Sequence, residues 1–595
     1  MGPASSGPLR DPSTDTTPVR TLLLVSAAFL LPSTAAAGTI YVNGALGTGA
    51  NNGTSWADAY RGVDAVVVAV TAAIAGDEVW VAAGTYKPTT TTTRTISHGL
   101  KNGVGIYGGF NGTETLLTQR NVLANVTILS GDIGTPVVNT DNSHHVVNAA
   151  GSNATAILDG FTVSEGNANV GSANNDRGGG ILCLAGASPT VRNCHFLANR
   201  CTFGGGAGYV NGSSPRFENT IFENNVGGSF GGAFDTNTTS TTWDRCTFIG
   251  NSAARAGAVE CFATGAPRIL NCLFRDNTST GAGGGGAIWS SSGTIIRNCT
   301  IVENNSTVSA AAGILVSGGG ATIANCIVVD NSGPGGAQAA ANQISGTTAV
   351  TYSIVEGGFA GTGNLNVSPA FANQAGNDFA LTLASPAVDA GNNASVVAGF
   401  TLDLAGKPRF ADEPTVVDTG AGAAPVVDIG AYEFPAPLVT PFCFGDGTGT
   451  SCPCGNNAPA FTDVGCLNSL GLGGLLGSSG SARILSDTFV LQGSNMTNAS
   501  CLYFQGTLQL NTGFGLVFGD GLRCAGGTIT RLGTKLNASG QSQYPVGGDL
   551  SVSVRGGVTT AGSLRTYQVW YRNAAAFCTG DTFNLTNGLS VVWEL

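Results

Sequence analysis

From Arg192 onward the chain says nearly the same thing six times: RNCHFLANR, ENTIFENNV, DRCTFIGNS, LNCLFRDNT, RNCTIVENN and ANCIVVDNS. With Cys194 as phase zero, the equivalent positions are Thr220, Cys246, Cys272, Cys299 and Cys326, at steps of 26, 26, 26, 27 and 27 residues, and Ser353 in TYSIVEGG fits a seventh. Two residues later sits an apolar side chain each time: Phe196, Phe222, Phe248, Phe274, Ile301 and Val328. Five residues later sits an asparagine: Asn199, Asn225, Asn251, Asn277, Asn304 and Asn331. A period of this length is the signature of a repeat array in which each unit completes its neighbour.

Each unit also holds a glycine cluster followed by an apolar residue, as in GGGIL (178–182), GGAF (231–234), AGAV (256–259) and GGAI (285–288), and then a second apolar run such as PTVRN or PRILN. Three short strands per unit cannot close a sheet alone, but they can stack on the next unit as parallel strands roughly 4.8 Å apart. The expected fold is therefore all-β, a right-handed parallel β-helix. Strand alternation puts phase zero and plus two inside, and points the residue between them outward: His195, Ile221, Thr247, Leu273, Thr300 and Ile327. The asparagine at the turn is expected in the left-handed region, bonding the asparagines above and below as a ladder. The inward cysteines are expected as reduced thiols acting as small hydrophobes, because parallel Cβ vectors misalign a disulfide. Cys183 and Cys261 share a second phase and read as core filling.

Composition agrees with close-packed turns: 90 glycines in 595 residues, 42% apolar and only 10% charged residues. Such a chain is not disordered. A net charge of −11 with no basic stripe excludes nucleic acid as an expected partner. Residues 1–37 read as a signal peptide, with the apolar run Thr21–Leu31 between Arg20 and PSTAAAG, cleavage near Ala37, and a true start near Val19. Eleven apolar residues are too few to span a bilayer, so no transmembrane helix is expected in the mature chain, and the protein should be secreted or displayed at the cell surface.

The β-helix is expected over 38–434. Its N-terminal cap, Gly38 to about Tyr86, has the strand TIYVNG, a short helix in VDAVVVAVTAAIAG and the strand DEVWVAAGTY; GVGIYGGF and ILDGFTVSEGN read as irregular early rungs. A closing segment runs through SPAVDAGNN, DLAGKPRF and VVDIGAYEF to Phe434, and 435–442 reads as a linker. Residues 443–595 hold Cys443, Cys452, Cys454, Cys466, Cys501, Cys524 and Cys578 among alternating runs such as CLYFQG and TYQVWYR, the pattern of a small Cys-bearing β-sandwich. A zinc site at CPC is the minor alternative to disulfides, since the partner spacing is irregular and no histidine follows.

The pairing of GGA[ILV] segments with FxxN resembles the repeats of the polymorphic outer membrane proteins, a family of β-helical adhesins. More broadly, Thr39 to Phe434 looks like exported bacterial β-helix proteins that open with IYV and GTSWADAY and close with SPAVDAG and VDIGAYEF. The resemblance implies a pectin-lyase-like solenoid, a fold that hosts adhesins, polysaccharide lyases and hydrolases alike. The roughly 160 residues after Phe434 do not read as the membrane barrel of a self-anchoring adhesin, so attachment by another route is expected. The stretch from FCFGDGTG to NLTNGLSV resembles a C-terminal module of exported bacterial proteins with six cysteines, which leaves Cys501 as a free thiol.

Asp276, Glu303 and Asp330 sit four residues after phase zero in consecutive rungs. Stacked at roughly 4.8 Å per rung, they fall near the carboxylate spacing of glycosidases and would also suit a calcium ion. A solvated turn is the stronger reading, because earlier rungs carry Ala198, Asn224 and Gly250 there. Asp389, Asp403 and Asp428 in the closing segment are a second, weaker calcium set, and His144–His145 is the best isolated acid–base candidate among His98, His144, His145 and His195. With no certain cofactor and no convincing catalytic set, the favoured reading is a structural or adhesive surface protein that binds polysaccharide or other cell-surface components. The alternative is a polysaccharide lyase or glycoside hydrolase working on the outer face of the helix. The oligomeric state stays open.

Overall fold

A computed structural model describes residues 37–595, apart from residues 173, 263, 292, 309–310, 319, 335–338, 347, 414, 435–437, 460–461, 576 and 595. The expected signal peptide lies outside the described residues, except residue 37. Each repeat contributes one strand to each of three parallel sheets. Sheet A has eleven strands, from Thr39–Val42 to Ala349–Thr351; sheet B has ten, from Gly84–Tyr86 to Ile354–Val355; sheet C has nine, from His98–Gly99 to Ile344–Gly346. Eleven stacked strands make a solenoid roughly 48 Å long at the usual strand spacing.

The phase read from the sequence is the register of sheet B. Phe196, Phe222, Phe248, Phe274, Ile301 and Val328 are successive partners. All six are fully buried, and the Phe248 and Phe274 rings stack 4.4 Å apart. At phase zero, the N–H of Cys246 donates to Cys272 Sγ and that of Cys272 to Cys299 Sγ, both at 3.4 Å. These cysteines are unpaired, and burial pushes the Cys194 and Cys261 thiols up to about 12, so they behave as apolar filling.

The asparagine ladder is complete from Asn199 to Asn331. Each Nδ2 donates to the Oδ1 of the next asparagine at 3.2, 2.9, 2.9, 2.8 and 2.9 Å, and each backbone N–H donates to the same oxygen. The ladder ends on side-chain and backbone groups of other rungs: Gly166 N–H donates to Asn199 Oδ1, and Asn331 Nδ2 donates to Gln343 Oε1 at 2.8 Å. One expectation is corrected. The ladder asparagines are not left-handed; the residue before each is, with φ of 55° at Ala198, 58° at Asp276 and 55° at Asp330. That left-handed step turns the chain inward, so the following asparagine points into the interior, where only its neighbours can satisfy it.

The N-terminal end is plugged by the helix Ala65–Ala72, whose Ala65, Val66, Ala69 and Val70 join the solenoid core, and Thr39–Val42 pairs in parallel with Glu78–Val81. The far end departs from expectation. The last rung is reached at Val355, and residues 366–434 do not extend the axis but fold back over the outer face of sheet B. Phe379, Leu381, Val388 and Ile429 cover Leu273, Val302, Ile327, Val329 and Ile354. Leu273, Thr300 and Ile327 point outward, as expected, and are buried beneath this wrap. Fully buried Arg409 fastens it, donating to Asn271 Oδ1 and Ala431 O and pairing with Glu433. No helix among the described residues is long and apolar enough to cross a membrane.

The C-terminal region is a separate antiparallel sandwich. A six-stranded sheet built on Ser500–Gly506 and Leu564–Arg572 packs Tyr503, Tyr567 and Val569 against Leu476 and Leu491 of a three-stranded sheet. Its first strand is Val439–Phe442, paired with Gly588–Val591, so these residues, expected as linker, belong to the sandwich. The disulfides are Cys443–Cys524, Cys452–Cys466 and Cys454–Cys578, which removes zinc from CPC, and Cys501 is a buried free thiol.

Two measurements check this architecture. Asn277→Ala removes one ladder step and leaves the buried backbone N–H of Asn251 and one of its amide hydrogens without an acceptor, so it should cost about 3 kcal/mol, read as a lowered denaturation midpoint; a change within experimental error would show that the ladder is not a stabilising element. Thiol titration should find none reactive in the native chain and nine after unfolding without reductant, with three disulfides by mass mapping.

Candidate functional site

The glycine clusters decide what stands on the outer face of sheet C. Gly205 and Gly231 take positive φ of 75° and 48°, and a Cβ at Gly232 or Gly257 would lie 2.0 Å from the carbonyl oxygen of the next rung. Only glycine lets the backbones approach so closely, and the tight turn brings the preceding residues, Arg177, Phe203, Phe230 and Arg255, back over the sheet. Beneath them, alternation along the strands Gly208–Asn211, Phe234–Asn237, Val259–Phe262 and Ile288–Ser290 directs Tyr209, Asp235, Glu260 and Trp289 outward in one column.

All of these but Trp289, together with Asn237 and Phe262, line a cleft of about 220 Å³. The Arg177 guanidinium lies 4.0 Å from the Phe203 ring centre and donates to Tyr209 Oη at 3.0 Å. Arg255 is held between the Phe230 and Trp289 rings, at 4.4 and 4.1 Å, and ion-pairs with Glu260. Phe262 stacks near Trp289 and forms the exposed lip. Asp235 and Glu260 are direct partners on adjacent strands, which sets their backbones roughly 4.8 Å apart. Burial, reinforced by Glu260, pushes the Asp235 carboxyl up to about 7, while Arg177 and Arg255 oppose the rise. Burial also raises Glu260, against its bond to Arg255. The cleft therefore offers a carboxyl able to hold a proton near neutrality, a carboxylate clamped by an arginine, and an aromatic lip.

The family model described as "Right handed beta helix region" matches residues 254–369, which include Arg255, Glu260 and Trp289. The chain is a β-helix repeat protein. The crystal structure of pectate lyase Pel9A is similar to it at 16% identity and a TM-score of 0.33, over 67% of this chain and 96% of that one. The comparison with curated proteins returned no relative.

Elsewhere on the β-helix, the expected acidic column exists but is already engaged. Asp276, Glu303 and Asp330 all occupy left-handed turn positions. Asp276 pairs with Arg275, whereas Glu303 and Asp330 share the Gln374 amide of the wrap, at 2.7 and 2.9 Å. His144 and His145 are buried, burial lowers both below the usual imidazole range, and His145 is held by Gly178 O and Asn175 Oδ1. Both lie in an early turn of the β-helix. Asp403 accepts from the N–H of Lys407 and of Glu433, and Asp428 from those of Asp389 and Phe434. The sheet C pair was the missed feature. Its signal was present in GGAFD and AGAVE, where an acid follows the apolar residue of two consecutive glycine units and so falls on the outer face.

The raised Asp235 has a definite pH consequence. The folded chain holds a proton there that the unfolded chain releases near its ordinary value, so this group makes stability fall as pH rises from about 4 to about 7. Asp235→Asn should therefore unfold a few degrees higher than the native chain at pH 8 and at nearly the same temperature at pH 4. Equal melting shifts at both pH values would show that Asp235 keeps an ordinary acidity.

Proposed function

We propose that this chain is an exported, surface-displayed β-helix protein, structural and adhesive in role, which binds a glycan in the sheet C cleft. The observation that carries the reading is the Asp235–Glu260 pair set between two arginines beside the exposed Phe262. Carboxylates and guanidinium groups bond sugar hydroxyls, and an aromatic face covers the C–H side of a pyranose. The chain's net charge of −11 favours a neutral glycan over a polyanion. Repeats resembling those of the polymorphic outer membrane adhesins, and an apolar N-terminal run ending in small residues, support surface display.

A second reading, glycoside hydrolysis, is favoured by the same carboxylate pair. The two acids stand side by side on adjacent rungs, the close pairing that a retaining mechanism uses. In that chemistry Asp235 would protonate the leaving oxygen, and Glu260 would attack the anomeric carbon.

Retention on a panel of immobilised neutral and acidic polysaccharides, with an assay for new reducing ends, separates the two. The expected result is retention on a neutral glycan without cleavage, weakened about tenfold by Phe262→Ala, an exposed change that leaves the core intact. Reducing ends that vanish in Asp235→Asn and Glu260→Gln would replace binding with hydrolysis. Neither retention nor cleavage would overturn both readings.

A further inference from the structure

We propose that Asp389, Asp412 and Asp418 form a calcium site that ties the exposed Asp412 and Asp418 to the buried Asp389 of the wrap. One oxygen from each carboxylate lies within 4.8 Å of the other two. Asp412 and Asp418 are exposed and would be unremarkable alone, but Asp389 is fully buried and neither of its carboxylate oxygens has a hydrogen-bond partner. A buried carboxylate without a donor is costly unless a cation meets it.

The backbone fixes where that carboxylate points. Asp389 takes a left-handed φ of 50°, its N–H donates to Asp428 Oδ1 at 2.7 Å, and its carbonyl accepts from Thr419 and Gly420 at 2.9 and 3.1 Å. Held on three sides, the side chain faces the other two acids. The charges of Asp412, Asp418 and Glu413 act on it repulsively, Asp428 does the same, and the Glu413 amide offsets part of this without reaching normal hydrogen-bond geometry. Glu413 itself turns back to Thr415, and Arg409 is committed to Glu433. Among the described neighbours no side-chain cation is aimed at the cluster, and an external one would balance it.

The donor set selects the ion. All three ligands are carboxylate oxygens, which suit a hard cation. Calcium's flexible shell, with ligands about 2.4 Å out, accommodates three converging carboxylates, whereas magnesium demands near-ideal octahedral geometry, keeps several waters and is usually met by only one or two carboxylates. Three carboxylates leave the remaining positions of a six- to eightfold shell to water and loop carbonyls. This assignment is independent of the glycan reading, because the cluster belongs to the wrap and not to the sheet C cleft.

The test uses the full mature chain stripped with EDTA, titrated with calcium by calorimetry and melted with and without the ion. Uptake of one calcium per chain at this site and a melting rise of about 4 °C at saturation are expected. Asp389→Asn should abolish both while melting in EDTA no lower than the native chain, which separates a lost ligand from a damaged fold. Asp412→Asn and Asp418→Asn should each weaken uptake at least about tenfold. The proposal is overturned by no uptake, by uptake that survives Asp389→Asn, by uptake lost instead in Glu303→Gln with Asp330→Asn, or by an equal response to magnesium alone.

Discussion

A rung of this solenoid cannot satisfy its own backbone, so every rung depends on the one stacked above it. That dependence is tightest at the asparagine ladder, where one side-chain oxygen receives both the amide group and the backbone N–H of its neighbour. Because the link runs from like residue to like residue, it enforces register: a slip of one residue would replace asparagine by the left-handed turn residue and leave buried donors stranded. The stacked phenylalanines and thiols inside, and the glycine turns opposite, follow from the same register. So does the sheet C cleft, since Asp235 meets Glu260 only because their rungs are held in phase.

The wrap modifies this one-dimensional logic. Repeat arrays usually derive stability from nearest neighbours alone. Here Arg409 reaches Asn271, Gln374 joins Glu303 to Asp330, and Asn392 exchanges hydrogen bonds with Asn325, so a single segment spans several late rungs at once. On the outer face of sheet B the early rungs carry half-buried His195 and exposed Ile221 where the late rungs are sealed, although Arg120 ties Gly108 to Asp159 and Arg216 meets the Phe400 ring of the wrap. On this face the column is open at one end and strapped at the other.

Period and alternation made the solenoid, its inward cysteines and its ladder legible from residues alone, because those features repeat and a repeated error would be visible. Features made once were harder to read. The wrap occurs once, and its cue was indirect: apolar Leu273, Ile327, Val302 and Val329 at outward positions imply a cover that the smaller or polar Thr247, His195 and Glu223 of earlier rungs do not. The carboxylates at 276, 303 and 330 were conspicuous because they align in three rungs, while Asp235 and Glu260 align in only two and sit beside glycines that drew attention to backbone geometry. Burial, which gives Asp235 its altered acidity, comes from Phe203, Phe230 and the arginines folding back, and no local pattern encodes that return. The expected disulfide framework of the C-terminal module was legible as six cysteines plus one, but the pairing depended on which strands the sandwich brings together.

The strap also acts as a length gauge. A unit of 26 or 27 residues inserted before Arg216 would add one step to sheets and ladder and leave the strap's contacts intact. The same insertion between Asn271 and Asn331 would move the anchors for Arg409, Gln374 and Asn392 apart by one strand spacing. Variation in the height of such a column is thereby confined to its N-terminal half, with the number of strapped rungs counted by the segment that lies across them.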